Sequence, residues 1–268
     1  MPSPDVDSAT VLADCAFGHT PWRWPLPSGS TPQTLWLRAV AAGGQGRYGS
    51  ALADLARVIR ADGGGPFVSL AHSTRASFLR QLGWHTRAAG WDGRALAVAG
   101  KDLEAATDAS IGLAADALGT GRLAASARLL ERAGERCGGA GPTIRVSVRL
   151  EWVSAELAMA SGDGAAAVGH AERAAVLAPA FGSARHIVKT DVILAAALCS
   201  AGMIDRSRLV ADTALDSAER LGLIPLRWAL ACLLGDIGSG TRTRAQIAEI
   251  RRDTANTVRH RGGVWEGR

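Results

Sequence analysis

The sequence predicts an all-α protein built as an array of antiparallel helical hairpins, an α-solenoid. Apolar residues recur at spacings of three and four from about residue 33 onward, as at Leu123, Ala127, Leu130 and Ala133. This is the periodicity of an amphipathic helix. Glycine-containing breaks follow at regular intervals, and β-branched residues show none of the alternation that is typical of strands. Together these observations favour short helices joined by tight turns.

The composition agrees with closely packed helices. The chain has 268 residues, 47% of them apolar and only 5% aromatic, so it can bury a large core of small side chains. The net charge is +5, and residues 240–268 contribute +4 of it, with seven Arg against three acidic residues. Only two of the 30 basic residues are Lys. We interpret that bias as a result of coding composition and not as a nucleic-acid signature.

Cysteine spacing and the N-terminus exclude several classes of protein. None of the four cysteines forms a Cys-x-x-Cys pair, and no His stands at ligand spacing from them. The pattern therefore excludes a disulfide framework and a zinc site. The N-terminus carries Asp5 and Asp7 where a signal peptide would be basic, and no stretch reaches the roughly 18 apolar residues of a membrane span. We expect a cytoplasmic protein.

Three regions are expected along the chain: a Pro-rich segment at 1–32, a helical array at 33–240, and a basic capping helix with a tail at 241–268. Six of the ten prolines lie in the first region, which therefore cannot be helical throughout. Because exposed large aromatic side chains promote aggregation, we expect residues 17–31 to dock, either on the chain's own first hairpins or in a partner. A disordered tail is the alternative. The apolar side chains of this stretch are Phe17, Trp22, Trp24 and Leu26.

A repeat register follows when the turn glycine of each hairpin is placed at unit position 15. The turn glycines are then Gly46, Gly90, Gly121, Gly162, Gly202 and Gly238. The units begin at residues 32, 76, 107, 148, 188 and 224, at intervals between 31 and 44 residues. The strongest unit spans 148–179, with Ala155, Ala167, Ala174 and Pro179 at unit positions 8, 20, 27 and 32.

This pattern resembles the tetratricopeptide (TPR) repeat family across residues 33–260. The intervals depart from the family's repeat of about 34 residues, and its Trp-x-x-Leu-Gly-x-x-Tyr string is nowhere complete. Longer units of this kind are similar to those in the C-terminal halves of large actinobacterial transcription activators. The resemblance implies that the first helix of each unit lines a concave face, with unit positions 2, 5, 9 and 12 pointing into it.

Reading these positions predicts a partner-binding groove with aromatic platforms and a cationic rim. Tryptophan and arginine dominate interaction hot spots, and arginine binds carboxylates in a bidentate manner, so the groove suits an acidic or extended peptide. Two alternatives remain open: the tryptophans pack as core between hairpins, and Lys189 forms a salt bridge to a neighbouring hairpin. The predicted groove residues are Trp36, Arg80, Trp84, Arg87, Arg149, Trp152, Glu156, Lys189 and Trp228.

The last helix, at about 241–260, is rich in arginine. A polar terminal helix is what a repeat array needs as a cap, and this is our interpretation. The alternative is a docking site for nucleic acid or an acidic partner. No aromatic side chain interleaves with the arginines before Trp265, which argues against nucleic acid.

No arrangement of residues indicates catalysis. There is no phosphate-binding Gly-x4-Gly-Lys string, no Gly-x-Ser-x-Gly elbow and no His-Glu-x-x-His, and no two of the six histidines stand three to five residues apart. We therefore expect no enzyme, no cofactor and no metal. The sequence favours an interaction scaffold or adaptor that binds a protein or peptide, and the alternative is a transcription regulator that acts through its C-terminal helix. Neither the partner's identity nor the oligomeric state follows from the sequence.

Overall fold

A computed structural model describes residues 4–60, 64–137 and 143–267. In this part of the chain the structure consists of thirteen α helices and contains no strand. The helices are α1 Pro4–Phe17, α2 Pro32–Gly44, α3 Tyr48–Arg60, α4 Pro66–Gln81, α5 His85–Val98, α6 Leu103–Gly119, α7 Leu123–Cys137, α8 Ile144–Ala160, α9 Gly164–Phe181, α10 Ala184–Ser200, α11 Ile204–Arg220, α12 Ile224–Ile237 and α13 Arg244–His260. The predicted all-α class is confirmed, and α1 is a helix that the proline-rich N-terminus did not lead us to expect.

Local sequence explains where many of these helices begin. Thr31 and Thr243 form capping boxes at the starts of α2 and α13, where each hydroxyl accepts a backbone N–H. Asp102 and Asp163 cap α6 and α9 in the same way through a carboxylate. These caps satisfy N–H groups that have no partner inside a helix.

The turn glycines confirm five of the six positions in the register and correct the sixth. Gly90 lies inside α5, and the glycine that ends the turn between α4 and α5 is Gly83, with φ +98°. Glycine is favoured there because side chains disfavour positive φ. Trp84 and Arg87 therefore belong to the start of α5 and not to the first helix of a unit. After this correction successive turn glycines lie 36 to 41 residues apart: Gly46, Gly83, Gly121, Gly162, Gly202 and Gly238.

The helices pack in sequence order. Each helix contacts the next one along the chain, from α1 to α13. The even-numbered helices from α2 to α12 also pack against one another in succession. The even-numbered helices therefore form a continuous row, with an odd-numbered helix beside each of them. Alanine fills many of the closest contacts, as at Ala39, Ala114, Ala155 and Ala195, which are fully buried.

The two ends of the chain meet. Helix α1 packs on α2 and also touches α10, and the backbone N–H of Ala184 donates to the carbonyl of Gly18 at 3.1 Å. Beyond α13, the N–H of Gly49 donates to the carbonyl of Arg261 at 2.9 Å. Val258 of α13 is part of the same buried apolar cluster as Leu12, Trp36 and Tyr48. The first and last helices thus share one core.

Residues 18–31 lie on the chain's own first hairpin, which is one of the two docking sites that we expected. The Gln45 side-chain N–H donates to the carbonyls of Pro21 and Arg23, at 2.8 and 2.9 Å. Arg38 donates to the carbonyls of Leu26 and Pro27. The Trp24 ring lies 3.9 Å from the Arg47 guanidinium carbon, yet Trp22 and Trp24 keep 50% and 40% of their surface exposed.

Candidate functional site

The predicted groove tryptophans of α2 and α8 lie in the core. Trp36 and Trp152 are both buried. Each indole N–H crosses to the next even-numbered helix and donates to a threonine hydroxyl at 2.9 Å, Trp36 to Thr74 and Trp152 to Thr190. These positions correspond to the alternative in which the tryptophans pack between hairpins. These indole–hydroxyl hydrogen bonds connect neighbouring even-numbered helices.

Arg80 is part of a buried ionic cluster. Its guanidinium contacts the carboxylates of Asp92, at 3.0 Å, and Asp116, and it also donates to the carbonyl of Gly112 at 3.0 Å. The side chains of both aspartates are completely buried. Burial, together with the neighbouring Asp116, raises the pKa of Asp92 to about 7, although Arg80 acts in the opposite direction. The cluster joins α4, α5 and α6.

Arg149 is also held inside the chain. Arg149 and Arg145 of α8 both contact the Asp108 carboxylate of α6, and Arg145 reaches Glu104 at 2.9 Å. Burial acts to raise the pKa of Asp108, but the two guanidinium groups outweigh it and hold that pKa below its usual value. Arg149 has 18% of its side chain exposed, so little of it remains available to a partner.

Glu156 and Lys189 pair with each other across α8 and α10. Their charged atoms are 3.6 Å apart, and each side chain is about one-third exposed, at 33% and 32%. The Lys189 ammonium also lies 6.0 Å from the centre of the Trp152 ring. This is the salt bridge to a neighbouring hairpin that the sequence left open as an alternative.

Two of the remaining predicted residues hold the C-terminal tail, residues 261–267. The Trp84 indole N–H donates to the carbonyl of Val264 at 2.8 Å, and the N–H of Glu266 donates to the carbonyl of Leu82 at 2.8 Å. Trp228 packs on Trp265, with ring centres 4.3 Å apart. The tail therefore lies as an extended segment between α12 and the turn that joins α4 to α5.

Arg87 is exposed, and its guanidinium carbon lies 4.8 Å from the centre of the Trp84 ring. The structure thus divides the nine predicted residues among several places. Trp152, Glu156 and Lys189 are together, Arg80 and Arg149 lie in neighbouring ion clusters, Trp84 and Arg87 are together on α5, and Trp36 and Trp228 stand apart from them.

The same hairpin carries a second aromatic and cationic group that the sequence analysis missed. The guanidinium carbons of Arg75 and Arg94 lie 3.9 and 4.7 Å from the centre of the Trp91 ring, and the His72 ring lies 5.4 Å from it. The signal was the i, i+3 spacing of Trp91 and Arg94 on one helix. Placing the turn at Gly90 hid this signal, because it interrupted the helix beside Trp91.

Together these side chains form what we call the Trp–Arg surface, made of Arg75, Trp84, Arg87, Trp91 and Arg94. In the described part of the chain, none of its three guanidinium groups has a carboxylate within 4.0 Å. Burial lowers the pKa of Arg75, and the neighbouring positive charge of Arg94 lowers it further. The surface is therefore an accumulation of unpaired positive charge on aromatic rings.

A cleft of about 250 Å³ opens beside this surface. Arg75, Trp84 and Arg87 lie at its edge, and the tail covers one side of it through Gly262 and Val264. The rest of its wall is contributed by Tyr48, Leu52, Phe78, Leu79 and Leu82. The cleft thus combines apolar walls with a cationic rim.

Within the described residues, no group of three or more His, Cys, Asp or Glu side chains is placed to hold a metal ion. In the same part of the chain, no helix is long and apolar enough to cross a membrane. The sequence matches no protein-family model, and no significant similarity to a curated protein was found.

Proposed function

We propose that this protein is a non-catalytic interaction module that binds an acidic segment of a partner protein on its Trp–Arg surface. The observation that carries the proposal is that three arginines lie on two tryptophan rings and, in the described part of the chain, have no carboxylate within 4.0 Å. A guanidinium group that stacks on an aromatic ring can still bind a carboxylate in a bidentate manner.

The fold that we propose for this function is a TPR-like array. Turn glycines 36 to 41 residues apart and the continuous row of even-numbered helices support it. In such arrays a partner binds across several hairpins. The interior positions Arg80 and Arg149 are occupied by ion pairs, whereas the arginines of the Trp–Arg surface have no carboxylate within 4.0 Å among the described residues.

The tail gives a second line of support. An extended stretch of chain already lies against Trp84 and Trp228 and makes backbone hydrogen bonds to this region. The same features would accommodate an extended partner segment.

The test is binding of a fluorescein-labelled, glutamate-rich peptide, measured by fluorescence anisotropy at low and high salt. We expect binding that the double variant R75E/R94E abolishes. The matched control is R128E/R132E on α7, which changes the net charge equally at exposed arginines away from the surface. Equal loss in both double variants would mean that only the overall charge attracts the peptide, and the proposal would fail.

A second candidate is regulation of transcription through α13. Arg244, Arg251, Arg252 and Arg259 are exposed on this helix, although Arg252 lies within 4 Å of Glu249 and Asp253. Contacts to phosphates would make duplex DNA binding fall steeply with salt. An R251E/R259E variant that loses DNA binding while R75E/R94E retains it would favour this function.

A further inference from the structure

The cleft beside the Trp–Arg surface has the properties of a side-chain pocket. Tyr48, Phe78 and Leu82 form its floor and are almost fully buried, so the floor is fixed by the core beneath it. Leu52 and Leu79 are half-buried on its walls. A volume of about 250 Å³ accommodates one large apolar side chain.

The charges around the cleft determine which kind of partner group can bind there. Arg75 and Arg87 lie on its rim, and neither has a carboxylate within 4.0 Å in the described part of the chain. Asp92, which follows Trp91 in sequence, is completely buried and bound to Arg80, so it does not offset them. Glu266 of the tail lies close to Gly83 and His85, and it forms no ion pair with Arg75 or Arg87. The rim thus attracts an anion that the described part of the chain does not supply.

The tail closes one side of the cleft without filling it. The Trp84 N–H holds the Val264 carbonyl at 2.8 Å, which fixes the backbone of the tail. Val264 nevertheless keeps 66% of its surface exposed while it lines the cleft. The opening therefore remains accessible beside a fixed stretch of chain.

We infer that this cleft receives a large apolar side chain of the acidic partner segment, while carboxylates next to that side chain bind Arg75 and Arg87. The inference rests on the proposed function and adds the requirement for an apolar residue flanked by acidic residues. It identifies a binding site in which charge complementarity positions the peptide and the apolar pocket selects it.

Two labelled peptides of glutamate and glycine test this, one with a central leucine and one with a central alanine. On the full chain we expect the alanine peptide to bind about tenfold more weakly, because it leaves the pocket unfilled. The L52F variant places a larger side chain in the cleft, so it should reduce the difference in affinity between the two peptides. Circular dichroism checks that this variant folds.

A second pair of variants probes the rim without changing the core. V264E places a carboxylate beside the cleft and should weaken binding of the leucine peptide about threefold or more, whereas V264K, of similar length, should not.

The inference of an apolar pocket would be overturned if the two peptides bound equally, or if folded L52F discriminated between them as well as the wild type does. Either result would leave the proposed binding of an acidic segment intact. Self-association of the protein that V264E blocks would instead assign the cleft to a second copy and overturn the inference. Failure of every glutamate-rich peptide to bind would count against the proposed function itself.

Discussion

Asp92 and Asp116 share a single arginine, so two buried carboxylates face one guanidinium. The charges cannot balance while both carboxylates are ionised. Burial, together with the second carboxylate, therefore raises the pKa of Asp92 to about 7. In the unfolded chain this group titrates near 3.8. Between these values the folded protein binds more protons than the unfolded one, so the contribution of Asp92 to stability falls as pH rises from about 4 to 7.

This predicts that D92N gains stability relative to the wild type as pH rises. Near pH 4 the protonated aspartic acid and asparagine are similar, and the two proteins should differ least. Above that, the free energy of unfolding of D92N should exceed that of the wild type by an amount that grows by at most about 1.4 kcal/mol per pH unit, up to about pH 7. Urea unfolding at pH 4.5, 6 and 7.5 measures the difference. The exposed D236N should show no such trend, and a constant difference for D92N would show that its carboxyl is not protonated in the fold.

The Trp152 indole offers a second test at this scale. Its N–H donates to the Thr190 hydroxyl, which is itself buried. T190V keeps the shape but leaves the indole N–H without an acceptor, at an expected loss of about 1–3 kcal/mol in the free energy of unfolding. T213V removes an exposed hydroxyl that donates to a helix carbonyl, and it should change stability by less than about 0.5 kcal/mol. If T190V and T213V lowered the free energy of unfolding equally, the Trp152–Thr190 hydrogen bond would make no specific contribution to stability.

At the scale of elements, the sequence predicted the helices well and the pairing of one hairpin poorly. Apolar periodicity and caps such as Thr31 and Thr243 act within a few residues, so helix positions can be read locally. The turn in the second unit could not be read in this way, because Gly83 and Gly90 are both glycines and only φ distinguishes them. That single choice moved Trp84 and Arg87 to the wrong helix and hid Trp91 and its arginines.

The N-terminal element has a role that composition did not reveal. Proline content predicted only that residues 1–32 are not helical throughout, and it did not reveal that residues 4–17 form α1, on which Leu12, Cys15 and Ala16 are buried in the first core cluster. The ring of Phe17, at its end, lies 5.4 Å from Trp36 and 5.9 Å from Phe181. Helix α1 therefore connects the start of the array to α9 and α10.

Deleting residues 1–31 should consequently lower the melting temperature. The loss uncovers apolar core around Trp36 and removes the hydrogen bonds of Gln45 and Arg38 to the segment. We expect a decrease of at least about 5 °C, since each kcal/mol lost corresponds to about 2–4 °C in a chain of this size. Differential scanning calorimetry measures it, and removal of residues 267–268 at the other end serves as the control truncation. An unchanged melting temperature would mean that the packing of α1 does not stabilise the fold.

At the scale of the whole molecule, the decisive contacts join residues that are far apart in sequence. Arg261 donates to the Gln45 carbonyl at 2.7 Å, across 216 residues of chain. Repeat periodicity specifies how each hairpin meets the next, because those contacts recur, but a contact between the first and last hairpins occurs once and leaves no periodic signal. The interior of the array was therefore predicted as an open groove, whereas Trp36 and Trp152 are part of the core and Arg80 and Arg149 are occupied by ion pairs.

Contact between the ends has a consequence for dynamics. In an open repeat array each hairpin is stabilised only by its neighbours, so the terminal hairpins open most readily. Here α13 contributes Val258 to the core of the first hairpin, and the tail binds Gly49, Leu82 and Trp84. The terminal hairpins should therefore be protected nearly as well as the central ones.

Native-state hydrogen exchange with mass spectrometry can measure this. We predict similar protection for the amides of α2, α8 and α12 in the full chain. Deleting residues 261–268 removes the backbone bonds to Gly49 and Leu82 and the Trp228–Trp265 contact. Exchange should then accelerate in α2–α3 and in α12–α13 together, at opposite ends of the sequence, while α8–α9 keeps its protection. Acceleration in α12–α13 alone would show that the tail stabilises only its own hairpin, and faster exchange at the ends of the intact chain would show that their contact does not couple them.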